Sequence, residues 1–441
     1  MAEFLLEIRS EEIPARMQKR AGEDLARLLT GALEKAGLAV RDERTFAGPR
    51  RLVFVADVPE ASPDVKEERK GPRVGAPEQA LAGFMRGAEL SDISEAEIRE
   101  DKKGKHYVAV IEKPGRAAQD IIAETVPEVM AKFPWPKSMK SGTSSFRWVR
   151  PISSILCLLD GKVVAFEVGG IASGNTTEGH RRMGRGPFVI SSFKAYQNSL
   201  EGEGHVWLDM EKRKTVILDE ARALCAQAGL ELVEDPGLLE EVAGLVEWPV
   251  VILGDMDAKF LKLPAEVIRL SMREHQKYFA VRDPKTGTLA PHFIVVANQI
   301  APDGGKEIAK GNARVLSARL EDARFFEAED AKRTLESRYN ELSGVIFHQK
   351  LGTMQDKSER VAALARELAP KIGADPDKAE KAAKLAKCDL VTNMVVEFTS
   401  LQGQIGRLMY AREGGDKDIA LAIEEHYKPK GASDSVPGYQ I

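Results

Sequence analysis

The spacing of apolar residues changes character once along these 441 residues, and that change restricts the fold more than any other feature. Up to about residue 300, short apolar runs of strand length alternate with helical spacing. Beyond Lys306 only helical spacing remains, carried by Ala, Leu, Glu, Lys and Arg. The most apolar runs, Pro151-Ile-Ser-Ser-Ile-Leu-Cys-Leu-Leu159 and Trp248-Pro-Val-Val-Ile-Leu253, are bounded by polar or turn residues. They fall far short of the ~20 apolar residues that span a bilayer and therefore predict buried strands. The pattern predicts an α+β multidomain protein, with an α/β N-terminal part and an all-helical last third.

The opening predicts a strand, helix, strand unit. Residues 4–8 read as a strand, and Ser10-Glu-Glu-Ile-Pro14 offers a hydroxyl cap and acids ahead of a helix to about Lys35. Gly37 is the stop, and residues 51–57 form the next strand. Residues 60–116 are rich in charge, Pro and Gly and predict an insertion with short helices near 78–86 and a hairpin near 106–111. A helix over 118–132 ends at Phe133-Pro-Trp-Pro136, because proline has no N–H to continue the ladder. From 187 to 298, helices at 210–228 and 238–246 mix with strands at 250–253 and 292–297; the last third offers no convincing alternating strand, and 432–438 is a turn-rich tail.

Composition removes whole classes of function. The N-terminus carries acids where a secretory peptide would be basic, and no long apolar core follows, so a cytoplasmic protein without membrane attachment is expected. Cys157, Cys225 and Cys388 are far apart and odd in number, which supports neither a disulfide framework nor a zinc knuckle and predicts small core residues. A net charge of −4 argues against coating nucleic acid along the whole surface but permits a local basic face. The chain has no phosphate-cradling Gly-x-x-x-x-Gly-Lys-Ser/Thr, no serine nucleophile elbow and no His-Glu-x-x-His.

Cations beside Gly or Pro are the suggestive feature. Gly48-Pro-Arg-Arg51, Lys70-Gly-Pro-Arg73, Ser145-Phe-Arg-Trp-Val-Arg-Pro151 and Gly179-His-Arg-Arg-Met-Gly-Arg185 set guanidinium groups on turns, where they suit bidentate phosphate binding and base stacking. The bland alternative is a solvated or paired surface charge. Ser271-Met-Arg-Glu-His-Gln-Lys-Tyr-Phe279 mixes cations, an amide and aromatics; it reads either as a binding surface or as a helix end over a buried aromatic face. Arg50, Arg51, Arg73, Arg147, Arg150, Arg181, Arg182 and Lys277 are the RNA-phosphate candidates. Asp389, close to apolar neighbours, belongs to a hydrogen-bonded network or to the remnant of a metal site.

Read in order, several words resemble the beta subunit of heterotetrameric bacterial glycyl-tRNA synthetase. They begin with Leu5-Leu-Glu-Ile-Arg-Ser-Glu-Glu-Ile-Pro14, Thr45-Phe-Ala-Gly-Pro-Arg-Arg-Leu52, Val246-Glu-Trp-Pro249 and Phe260-Leu-Lys-Leu-Pro264. Met272-Arg-Glu-His-Gln-Lys-Tyr-Phe279, Asn312-Ala-Arg-Val-Leu-Ser-Ala-Arg-Leu-Glu-Asp-Ala-Arg-Phe-Phe326 and Lys350-Leu-Gly-Thr353 follow. Cys388-Asp-Leu-Val-Thr-Asn-Met-Val-Val-Glu-Phe398, Gln402-Gly403 and His426-Tyr-Lys-Pro429 complete the series, which spans essentially the entire chain.

The resemblance implies a division into an N-terminal α+β region with an insertion (1–185), an α+β region like B3/B4 of phenylalanyl-tRNA synthetase (186–300) and a helical region like the HD superfamily (301–441). It implies a truncation, with the C-terminal anticodon-binding domain absent. It implies an alpha2beta2 assembly in which the alpha subunit carries the class II site using ATP and Mg, while this chain has no cofactor or catalytic residue of its own and grips tRNA(Gly). Two likenesses lack their chemistry. Cys388-Asp389 stands where an HD hydrolase needs a His-Asp pair, so no metal-dependent phosphohydrolase is expected. Editing is not favoured either, because a pocket for glycine, the smallest amino acid, excludes every larger one sterically. The competing readings are an architectural subunit without tRNA contact and, further off, an HD-type hydrolase or editing module.

Overall fold

A computed structural model of the chain describes residues 1–101, 104–432 and 436–437; the expected tail at 432–438 lies mostly outside the described residues. The chain folds as two compact units, one built from 1–218, 239–250 and 296–300 and the other from 219–238, 251–295 and 301–441.

The first unit grows around strand β1 (Ala2–Ser10), which is buried on both faces. Period-2 alternation sends Phe4, Leu6 and Ile8 into one apolar cluster and Leu5 into another. Glu7 and Arg9 share the face of Leu5 and are buried with it. Helix α1 (Ala15–Lys35) covers the first face with Met17, Ala21, Leu25, Leu29 and Leu33, a four-residue spacing that forms one stripe. It ends where Gly37, at φ +89°, turns left-handed so that Leu38 N–H reaches the Leu33 carbonyl at 2.9 Å.

Ser10 does not cap this helix, contrary to the sequence expectation. It ends β1, its Oγ donates to the Glu11 carbonyl, and α1 begins after Pro14 without a side-chain cap. Strand pairing takes Ser10 first, and proline's fixed φ suits the start of a helix.

Strand β2 (Arg41–Ala47) pairs with β3 (Arg51–Val58), which pairs antiparallel with β1, placing Arg51 opposite Arg9 and Val53 opposite Glu7. Sequence reading missed β2 because most of its residues are polar and exposed. The insertion forms its own three-stranded sheet of β4 (Val65–Arg73), β5 (Glu97–Asp101) and β6 (Gly104–Lys113), in the order β4-β6-β5, with α2 (Glu78–Ala88) packed on it through Phe84 and Ala88. Helix α3 (Ala118–Ala131) joins α1 on the first face.

A short pair, β7 (Met139–Lys140) and β8 (Arg147–Trp148), precedes β9 (Ile152–Leu159), the other neighbour of β1. The sheet is extended by β10 (Lys162–Val163), β11 (Glu167–Val168) and β12 (Ile171–Gly174), giving the order β11-β12-β9-β1-β3-β2 with β10 on β9. After the ribbon of β13 (Thr176–Thr177) and β14 (Phe188–Val189), helix α4 (Phe193–Glu201) closes the second face with Phe193, Tyr196 and Leu200.

Helix α5 (Met210–Gln227) and helix α6 (Pro236–Ala243) carry the chain through both units. The second unit has a sheet ordered β15-β17-β18-β16, from β15 (Glu231–Leu232), β16 (Val250–Asp255), β17 (Phe279–Arg282) and β18 (Leu289–Ala297), with α7 (Ala265–Leu270) between β16 and β17. Beyond it come α8 (Lys306–Asp330), α9 (Met354–Leu368), α10 (Pro376–Leu385), α11 (Asn393–Glu397), α12 (Gln404–Arg412) and α13 (Lys417–Glu425). The helical third is not strand-free: β19 (Ile346–His348) and β20 (Gly352–Thr353) form a small ribbon before α9. Its five residues are too few for an alternating pattern to register. Cys157, Cys225 and Cys388 are buried and free. No helix among the described residues is long and apolar enough to cross a membrane.

Candidate nucleic-acid interface

The candidate cations separate into buried and presented groups. Arg51, at the start of β3, is 2% exposed and spends its charge inside the first unit. Its Nη1 donates to Glu7 at 3.0 Å, its Nε and Nη2 to Glu247 at 3.2 and 3.1 Å, and Nη2 also to the Glu178 carbonyl at 3.1 Å. Burial opposes the charge, but Glu247 and Glu7 outweigh it and hold the Arg51 pKa above the ordinary arginine value. Glu7 is satisfied on both oxygens: Thr177 Oγ1 donates to one at 2.6 Å, and the other receives the Tyr196 hydroxyl as well as Arg51. Burial and the Glu7 charge push the Tyr196 pKa up.

This network joins separate segments. Glu247 lies in the loop after α6, whose shape is fixed by Asn298, its Oδ1 accepting from Glu247 N–H at 2.8 Å and Trp248 N–H at 3.1 Å. Nearby, Arg213 on α5 is 1% exposed and donates to the carbonyls of Ala47, Trp207, Leu208 and Ala243. Burial lowers its pKa to about 10. Sequence reading passed over Glu7, Tyr196, Glu247 and Arg213. The only available signal was that Glu7, Arg51 and Glu247 each sit inside one of the family-like words.

Arg50 lies at the rim of the same cluster. Its side chain is 8% exposed, its one acid partner is Glu11 at 3.6 Å, and its Nε and Nη1 have no partner among the described residues. Burial, then Arg9 and Arg181, lowers its pKa. Arg181 is exposed and pairs with Glu11 at 2.5 Å, and Arg9 pairs with Glu178 at 2.5 Å. Arg182, also exposed, donates to Gln299 at 3.0 Å. The loop bearing both arginines is closed by His180, whose Nδ1 accepts from Arg182 N–H and Met183 N–H at 3.2 Å each. Burial lowers the His180 pKa, consistent with a neutral ring accepting at Nδ1. Glycine is required here: a Cβ on Gly179 would stand 2.4 Å from the Gly204 carbonyl oxygen and one on Gly184 2.5 Å from it.

The structure thus brings Arg50, Arg51 and Arg181 together, with Arg182 on the same loop. The remaining candidates stand elsewhere. Arg147 is exposed on β8 and donates to Ser138 through Nε at 3.1 Å and Nη2 at 2.5 Å. Arg150 donates to the Val149 carbonyl at 2.9 Å. Arg73 is exposed at the end of β4. Lys277 belongs to the second unit and follows a wide π-helical turn over 271–276, with φ +58°. Beside it Tyr278 is buried, stacked on Phe293 with ring centroids 4.7 Å apart and bonded through its hydroxyl to Asn312 at 2.6 Å.

Asp389 is fully buried, and one of its oxygens accepts from the N–H groups of Gly403 at 2.5 Å and Gly406 at 3.1 Å, at the start of α12. Burial pushes its pKa up to about 6. Among the described residues no group of three or more His, Cys, Asp or Glu side chains is placed to hold a metal.

Fold and site define a chain whose inner charges brace loops and whose outer arginines are displayed on them. The family model for the glycyl-tRNA synthetase beta subunit matches residues 4–441, and the chain belongs to that family. It is 55% identical to the glycine–tRNA ligase beta subunit of Phenylobacterium zucineum, with 99% of this chain and 65% of the relative covered. The corresponding proteins of a Ruegeria species and Rhodospirillum centenum are 49% and 48% identical, again with 99% of this chain and 65% of the relative covered. The chain therefore spans about two-thirds of the length of these relatives.

Proposed function

We propose that this chain is the tRNA-gripping portion of a glycine–tRNA ligase beta subunit, working in the cytoplasm with an alpha subunit in an alpha2beta2 assembly. On this reading the alpha subunit holds ATP, Mg and glycine and makes the ester bond. The beta chain positions the acceptor arm of tRNA(Gly), and its contribution to rate is orientation, which makes an encounter effectively intramolecular. The 186–300 region acts as the B3/B4-like part and 301–441 as the HD-like part, both without hydrolytic chemistry.

The observation that carries the proposal is the display of Arg181 and Arg182 near the buried Glu7–Arg51–Glu247 brace, with Arg147 exposed elsewhere in the first unit, in a member of this family. Arg51 acts as the brace, and its exposed neighbours as phosphate ligands. Two measurements test this. Filter binding of the chain to tRNA(Gly) is expected to weaken steeply with salt, the signature of counterion release. Mixed with the alpha subunit, the chain is expected to raise glycylation above that of the alpha subunit alone. Salt-insensitive or undetectable binding would leave only an architectural subunit, and glycyl-adenylate formed by the chain alone would defeat the division of labour.

A further inference from the structure

The helical part of the second unit forms a half-open pocket of about 300 Å³ that the tRNA reading does not use. It exists because its wall is made of small side chains. Ala379, Ala382 and Ala383 on α10 recur at helical spacing, and Ala365 and Val361 on α9 and Ala422 on α13 complete the wall. Alanine at these positions leaves space that leucine would fill, and a void of this size lined by apolar groups is in the range of small-ligand sites.

Polar groups meet this apolar wall at defined points. Ser358, 2% exposed, and Glu425 both line the cavity, and Ser358 Oγ and Glu425 Oε2 have no hydrogen-bond partner among the described residues. The Ser358 hydroxyl can donate to a ligand oxygen at this wall, whereas the Glu425 carboxylate can only accept, so its partner is not the anion but Lys428. Lys357, Lys387 and Lys428 line the same space. Lys387 Nζ lies 3.6 Å over the Tyr427 ring, and burial, with Lys357 adding to it, lowers the Lys387 pKa to about 8. Lys387, its charge opposed by burial and by the neighbouring Lys357 at the apolar wall, gains from a bound anion. Lys428 is engaged with the other oxygen of Glu425 at 3.1 Å.

We propose that this cavity binds a small organic anion, its apolar body against the alanine wall and its carboxylate or phosphate head at Lys357 and Lys387. The proposal is independent of tRNA contact, because none of the arginines considered above lines the cavity.

Isothermal titration of the whole chain with four probes tests it: phenyl phosphate and phenylacetate carry head and body, inorganic phosphate the head alone, and benzyl alcohol the body alone. At least one of the first two is expected to bind tenfold or more tighter than either fragment, and the better of them identifies the head. Ala383→Leu, at a half-buried wall position, is expected to abolish binding without lowering the thermal midpoint. Lys387→Met is expected to weaken binding tenfold or more, and Lys387→Arg to retain it. Neither phenyl phosphate nor phenylacetate binding more tightly than inorganic phosphate and benzyl alcohol overturns the proposal. Binding that survives Ala383→Leu in a folded variant, or no saturable heat with any probe, does so equally.

Discussion

The two units bury charge by opposite means. In the first, the buried cations Arg51 and Arg213 are held by buried carboxylates, Glu7 and Glu247, and by carbonyls, several of them from segments far away in sequence. In the second the buried acids Asp330 and Asp389 are satisfied largely by backbone N–H groups at the starts of short helices, with Arg338 beside Asp330. Asp330 accepts from Asn393 N–H at 3.0 Å and Met394 N–H at 2.9 Å at α11, and Asp389 does the same at α12. An acid at a helix start is held by a local device that one helix turn can supply. A buried arginine instead collects acceptors from several segments at once, as Arg51 does from Glu7, Glu178 and Glu247. The first unit's loops therefore depend on long-range assembly, and the second unit's helices are stitched end by end.

The sharpest way to break this contrast is Arg51→Met. It leaves Glu7 and Glu247 buried without their cation, and losing one side of a buried pair costs about 3–5 kcal/mol. Urea unfolding is expected to show a large fall in midpoint, and adding Glu7→Gln and Glu247→Gln should restore much of it. A midpoint unchanged by Arg51→Met would refute the bracing role.

Asp330→Ala tests the second unit and is expected to cost about 3 kcal/mol, because charge-assisted bonds to α11 are lost and Arg338, paired at 3.3 Å, stays buried. The loss should appear as faster amide exchange around 393–397 before any global change. Uniform exchange across the unit would mean that Asp330 is not a local stitch.

Asp389 gives the comparison a pH axis. Its folded pKa of about 6 lies above the ordinary aspartate value, so the fold favours the protonated form. The associated stability is complete below about pH 4, where the unfolded carboxyl is also protonated, and is lost as pH rises through 6. Asp389→Asn should flatten that decline, worth at most about 3 kcal/mol, in thermal unfolding followed from pH 4 to 7. An identical slope in both proteins would show that other groups produce it.

The same contrast explains what could be read from sequence. The strand at 152–159, the helix to Lys35 and its Gly37 stop were legible because apolar period and backbone freedom are local properties. Ser10 misled because its hydroxyl fits a helix cap, but the strand to which it belongs has a prior claim. Arg51 reads as a surface cation because Gly-Pro-Arg-Arg is turn chemistry; its partners lie 44 and 196 residues away, beyond any local pattern. Asp389 was legible as a buried polar group requiring partners, although not as the acceptor for α12, whose glycines follow 14 and 17 residues later.

The smallest effect on stability is expected where the functional effect should be clearest. Arg147, Arg181 and Arg182 are exposed, and replacing such side chains ordinarily changes stability by no more than about 0.5 kcal/mol. If each meets a phosphate, an alanine substitution should weaken tRNA binding across sequences and reduce the salt slope by about 1. Arg182 is the most direct case, because its side-chain bond goes to the neutral Gln299, so its removal leaves no unpaired acid behind. Arg181→Ala also frees Glu11, whose carboxylate would repel a phosphate, and should weaken binding further than Arg182→Ala. A slope unchanged in all three variants, with the fold intact, would separate bracing from gripping and leave the first unit's arginines as architecture alone.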